Sequence, residues 1–182
     1  MRILQNLRIL QSRTVRESIE TMTEKHLSIL YKEYASAQEM SSEDQELVRA
    51  AIDALAGSYS PYSHFQVGAA LRLSGGVIVK GANQENAAYP SGLCAERTAM
   101  FAAGAQYPDA DFESLAIVAS DHGHLLAEPA TPCGGCRQVM AEYQTRARKP
   151  MSVILIGVKR IWKFDRVDAL LPFIFDSLNP DA

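Results

Sequence analysis

A layered α/β domain is predicted from three observations. The elements read in the order helix, hairpin, helix, strand, helix, strand, an alternation that stacks helices on a sheet. Residues 115–119 and 152–156 are short, unbroken apolar runs, which suit strands covered on both faces. Most of the helical stretches also carry their own start or stop signal. Ser42 followed by Gln45 reads as a capping box, after which Leu47, Ala51, Ala54 and Leu55 recur at helical spacing until Gly57. Residues 66–73 and 77–82 flank Ser74-Gly75-Gly76 and read as a hairpin. Residues 95–103 are strong helix formers with Gly104 as terminator, and residues 136–145 read as a further helix. Residues 26–34 partly alternate and are read as an extra edge strand.

The 182 residues suit one domain with a substantial core, and 47% hydrophobic against 21% charged residues describes a globular chain. No repeat, low-complexity tract or linker divides it. The net charge is -3, and beyond the first 21 residues 14 basic face 19 acidic side chains. That balance argues against a nucleic-acid partner, which would need phosphates neutralised. No apolar run approaches the roughly 20 residues of a membrane span. Three cysteines cannot all close into disulfides, and reduced thiols free for metal suit a cytoplasmic location.

Residues 1–40 are read as an N-terminal extension of uncertain role, and residues 41–182 as the catalytic domain. The first part of the extension holds Arg2, Arg8, Arg13 and Arg16 with no acid before Glu17. A transit peptide would have this composition, but the preferred expectation is a native start at Met22 behind a tag or an over-extended reading frame.

All three cysteines fall in two segments, Cys94-Ala95-Glu96-Arg97 and Pro132-Cys133-Gly134-Gly135-Cys136. A Cys-x-x-Cys pair alone is ambiguous, because redox dithiols use the same spacing. Cys94 adds a third thiol, and both segments are read as opening a helix, where unpaired amides favour thiolate. Spacing i, i+3 puts Cys133 and Cys136 on one helical face. Three thiolates on a tetrahedral zinc leave one vertex open, which separates a catalytic site from a structural one. Glu96 stands two residues from a ligand, close enough to exchange protons with a water at that vertex. A closed structural zinc would need a fourth donor, and His122 or His124 is the nearest candidate; a solvated turn is the preferred reading of both. His26 and His64 are read as ordinary surface or packing residues.

With Thr98-Ala99 and Arg137-Gln138 included, these two segments resemble the zinc-dependent nucleoside and nucleotide deaminases, most closely the small homotetrameric cytidine deaminases. The resemblance runs from about residue 44 to 175. It also rests on Ser60-Pro61-Tyr62-Ser63, on Phe65-Gln66-Val67-Gly68-Ala69-Ala70-Leu71, on Asn83-Gln84-Glu85-Asn86-Ala87, and on Leu170-Leu171-Pro172 with Phe175. It implies a layered α/β/α fold with a central mixed sheet, a Zn²⁺ cofactor, and hydrolytic deamination of cytidine and deoxycytidine. It further implies that Asn83 and Glu85 hold sugar hydroxyls, that Phe65 packs on the base and that Tyr89 lines the site. Phe175 would enter the site of a neighbouring subunit in a homotetramer. Arg97 would hydrogen-bond the thiolates and draw off charge that makes the metal a poorer Lewis acid. Two other readings stay open: a related deaminase of another nucleoside or nucleoside antibiotic, and a zinc-stabilised binding protein without catalysis.

Overall fold

The computed structural model describes residues 23–175. The arginine-bearing start and Met22 lie outside the described residues. Seven strands form one sheet among them: β1 (Lys32–Tyr34), β2 (Phe65–Leu73), β3 (Ile78–Ala82), β4 (Phe112–Asp121), β5 (His124–Leu125), β6 (Ser152–Ile156) and β7 (Ile161–Phe164). Across the sheet the order is β1-β7-β6-β4-β2-β3, with β5 pairing on the end of β4. Only β4 and β6 run parallel; every other pair is antiparallel. The sheet is therefore mixed, and helix α3 (Gly134–Ala147) supplies the crossover that a parallel pair requires.

Side-chain alternation sorts the strands between two cores. Ala70, Ala116, Val118, Ile154 and Ile156 face α1 (Ser42–Ala54) through its Leu47, Val48 and Ala51. Ala69, Leu71, Leu115, Ile117, Val153 and Leu155 face the opposite way, onto α3 and α2 (Ala95–Gln106), where Ala99, Met100 and Met140 are wholly buried. The result is the layered α/β/α arrangement. Two glycines let the helices lie this close. A Cβ on Gly68 would stand 2.3 Å from the Ala51 carbonyl oxygen in α1, and one on Gly81 would stand 2.4 Å from the Ala99 nitrogen in α2.

Several boundaries differ from expectation for identifiable reasons. The cap of α1 is Ser41, whose hydroxyl accepts from the Asp44 amide at 3.2 Å, while Gln45 turns back to donate to the Met40 carbonyl. Gly104 does not end α2; the helix runs on to Gln106, because the missing side chain makes room for the Tyr143 ring of α3. The edge strand is limited to Lys32–Tyr34, paired with β7, and Tyr31 stacks on Phe164 just before it. Strands β5 and β7 had no recognised pattern in the sequence. No helix of the described residues is long and apolar enough to cross a membrane.

Candidate active site

The N-termini of α2 and α3 lie on the same face of the sheet, and each is opened by a cysteine. Cys94 caps α2 and Cys133 caps α3, both in extended backbone conformation, and Cys136 sits buried in the first turn of α3. The cap carbonyls start the helices by accepting from Thr98 and Arg137 amides at 3.0 Å. The three sulfurs all lie within 4.8 Å of one another, and the Cys133 and Cys136 sulfurs are 3.5 Å apart. Tetrahedral zinc with bonds of about 2.3 Å would separate two sulfurs by about 3.8 Å, so this donor set fits the metal closely.

No fourth His, Cys, Asp or Glu joins the cluster among the described residues. His122 instead pairs with Asp121 at 2.7 Å and leans against the His64 ring, and His124 is exposed on β5. Among the described residues a closed four-residue site is thus not formed. Arg97 reaches the Cys94 sulfur with Nη2 at 3.4 Å, and its buried Nε has no partner among the described residues. A hydrogen bond from Cys136, and then the Arg97 guanidinium, hold the Cys94 thiol down at about 5. The shared proton correspondingly raises Cys136. The Cys94 thiolate is thus favoured at neutral pH, and a metal must displace the proton that Cys136 keeps.

Glu96 lies in the first turn of α2 with 4% of its surface exposed. Burial raises its carboxyl above the ordinary value and the Cys94 charge pushes the same way, while a hydrogen bond from its own backbone amide works against them. A carboxyl so placed, raised by burial and beside the thiol cluster, can take and return protons.

Cys94, Cys133, Glu96 and Arg97 open onto a cavity of about 440 Å³. Phe65, Asn83, Glu85 and Tyr89 line it as well, so all of these distant residues meet in one concavity. Phe65 begins β2, while Asn83 and Glu85 follow β3, and antiparallel pairing brings them together. Asn83 is built into the frame: Oδ1 accepts from the Val67 amide at 2.8 Å and the Ser58 hydroxyl at 2.6 Å, and Nδ2 donates to the Phe65 carbonyl at 2.8 Å. Glu85 accepts from the Tyr62 and Ser63 amides and from the Ser63 hydroxyl. Those bonds, the Ser63 hydroxyl first, lower its carboxyl below the usual value.

Phe175 does not line this cavity. It is 66% exposed, and its backbone is held by Gln138, which donates to its carbonyl at 2.6 Å and accepts from its amide at 3.2 Å. Ser63, Ala130 and Thr131 line the cavity and escaped the sequence reading as individual site residues. Ser63 did stand inside the Ser60-Pro61-Tyr62-Ser63 motif, but only its three-dimensional partners distinguish it.

The geometry has counterparts among known proteins. Residues 41–150 match the family model described as the cytidine and deoxycytidylate deaminase zinc-binding region. The chain is 49% identical over 98 residues to a cytidine deaminase of Halalkalibacterium halodurans, covering 54% of this chain and 70% of that protein. It is 42% identical over 120 residues to one of Sporosarcina psychrophila, covering 66% and 82%. Among solved structures it is similar to cytidine deaminase from Burkholderia pseudomallei, with TM-score 0.64, 37% identity and coverage of 75% and 100%. The Mycobacterium tuberculosis enzyme gives TM-score 0.56, 35% identity and coverage of 72% and 96%.

Proposed function

The chain belongs to the zinc-binding cytidine and deoxycytidylate deaminase family, and on that premise we propose that it hydrolyses cytidine and deoxycytidine to uridine and deoxyuridine, releasing ammonia. The observation that carries this reading is the joining of three clustered thiols and a buried glutamate to a nucleoside-sized cavity. Cys94, Cys133 and Cys136 hold the zinc, which supplies a Lewis acid able to bring the pKa of a water toward about 7. Arg97 draws charge from the Cys94 sulfur. Phe65 packs on the pyrimidine, and Tyr89 closes the cavity beside it. Asn83 and Glu85 take a sugar hydroxyl, one as donor and the other as acceptor, so a free base is a poor substrate.

Glu96 accepts a proton from the attacking water and delivers it to N3 of the pyrimidine, while the water oxygen adds to C4. It then carries the second proton to the exocyclic amine. The bond from C4 to nitrogen breaks, and ammonia and the uracil nucleoside leave. The catalytic domain occupies residues 41–182, and residues 1–40 are an extension outside the family match. We place the enzyme in the cytoplasm, where thiols stay reduced. Its assembly is a homotetramer, in which Phe175 completes a neighbour's site. Support for that comes from the exposed ring of Phe175, which stands outside its own cavity on a pinned backbone.

Metal analysis paired with an ultraviolet assay on cytidine tests the whole reading. Stoichiometric zinc and a falling cytidine absorbance are expected. Full zinc loading without turnover of any nucleoside in a panel would instead leave a binding protein.

A further inference from the structure

We infer that Ser63 is the positioning residue that joins the base-binding and sugar-binding sides of the cavity into one hydrogen-bonded unit. This rests on the proposed roles of Phe65 and Glu85. The Ser63 hydroxyl accepts from the Phe65 amide at 3.0 Å and donates its own proton to Glu85 Oε1. Because the amide already occupies an oxygen lone pair, the hydroxyl rotor is turned toward the carboxylate.

The rest of the unit closes around that bond. Glu85 Oε2 accepts from the Tyr62 amide at 2.9 Å and the Ser63 amide at 3.3 Å, which uses both of its lone pairs. Oε1 takes the Ser63 hydroxyl and keeps one lone pair for a ligand. On the other side, the Phe65 carbonyl is held by Asn83 Nδ2 at 2.8 Å. The backbone of Phe65 is thus gripped at its amide by Ser63 and at its carbonyl by Asn83. Glu85 takes its position from the same serine.

Ser63 is itself exposed and fills no core space, so packing does not explain these bonds. Without the hydroxyl, Glu85 keeps its charge and both amide donors but loses the link that sets its distance from Phe65. A nucleoside that must satisfy ring and carboxylate together then binds more weakly. Steps at the pyrimidine C4 remain untouched, because Glu96 and the cysteines lie on other elements.

The test uses the zinc-loaded full chain and two readouts: the dissociation constant for uridine, which needs no turnover, and KM and kcat for cytidine. Ser63→Ala should raise both the uridine constant and KM about tenfold, as expected for losing a hydrogen bond to a charged group, with kcat, zinc content and Tm unchanged. Ser63→Thr, which keeps the hydroxyl, should restore binding to within about threefold of the parent, the scatter expected of conservative changes. Glu85→Gln measured alone checks the underlying role: if it binds uridine like the parent, the sugar-binding reading of Glu85 fails whatever Ser63 does. Given a weakened Glu85→Gln, the double variant should be no worse than that single one. Normal binding by Ser63→Ala, no rescue by Ser63→Thr, or full additivity in the double variant would each overturn the role of Ser63.

Discussion

Glu96 and Cys94 are two residues apart, yet their chemical settings differ in opposite senses: the acid is raised by burial, and the thiol is lowered by hydrogen bonds. That divergence suits one group to hold metal and the other to move protons. Glu96→Gln preserves volume and burial, so zinc content should be normal while kcat falls by about 10²-fold or more, the usual weight of a general acid and base. Stopped-assay rates on fully metallated protein decide this, and near-normal turnover would remove Glu96 from the reaction. Arg97 adds a related prediction. Among the described residues its guanidinium is the one side-chain donor to the Cys94 sulfur other than the cysteines, so Arg97→Gln should weaken zinc binding by about tenfold, measured by competition with a chelator. Glu85 predicts a pH profile. Ser63 and two amides stabilise its charged form and hold it below 4.5. The hydrogen-bonded form is therefore complete above that value and is lost only as pH falls through the depressed one. KM for cytidine should stay flat as pH is lowered to about 5, and a rise in KM between pH 7 and 5 would show that Glu85 is not the group being gripped.

At the scale of elements, two helices deliver the cysteines, and their seats on the sheet govern the spacing. Helix α2 rests on β3 at Gly81, where an added Cβ would meet backbone atoms of Ala95 and Ala99 that cannot step aside. Gly81→Ala should therefore lower stability by about 3 kcal/mol, the upper range for overpacking a tight contact. Because the same contact sets the start of α2, zinc affinity should fall with it. Denaturant melting with and without metal separates the two effects, and an unaltered midpoint would mean that the helix shifts freely. The opening of α3 also reaches beyond the cysteines. Arg137 ties the Pro132 carbonyl to the Leu170 carbonyl at 2.8 and 2.9 Å, and Gln138 binds the Phe175 backbone. One helical turn thus fixes a cluster thiol and the C-terminal aromatic together. The elements themselves were legible where local signals were strong, as in the α2 and α3 starts and the β2 to β3 hairpin. They were misjudged where a distant partner intervened. Gly104 reads as a helix stop until Tyr143 occupies the space beside it, and the four residues of β7 are a strand because β6 and β1 pair with them.

Across the whole molecule, Phe175 poses the question of assembly, since among the described residues its ring is 66% exposed while Gln138 fixes its backbone. If it completes a neighbour's site, Phe175→Ala should lose activity although every group in its own cavity is intact. Mixing and reassembling it with Glu96→Gln should then recover activity, because hybrids pair an intact glutamate with a neighbour's intact phenylalanine. Activity that never exceeds the sum of the two separate variants would confine each site to a single chain. Local sequence dictates the chemistry at hand: which residues carry thiols, that two of them stand three residues apart at the opening of a helix, and that an acid stands beside the third. These follow from spacings of two to three residues, which short-range geometry controls. Tertiary structure alone decided the meetings. Cys94 joins Cys133 and Cys136 because α2 and α3 lie on one face of a sheet whose β4 and β6 run parallel, and Ser63 meets Glu85 through the pairing of β2 with β3. Such contacts cross long stretches of chain, and the register and packing that create them are properties of the folded sheet.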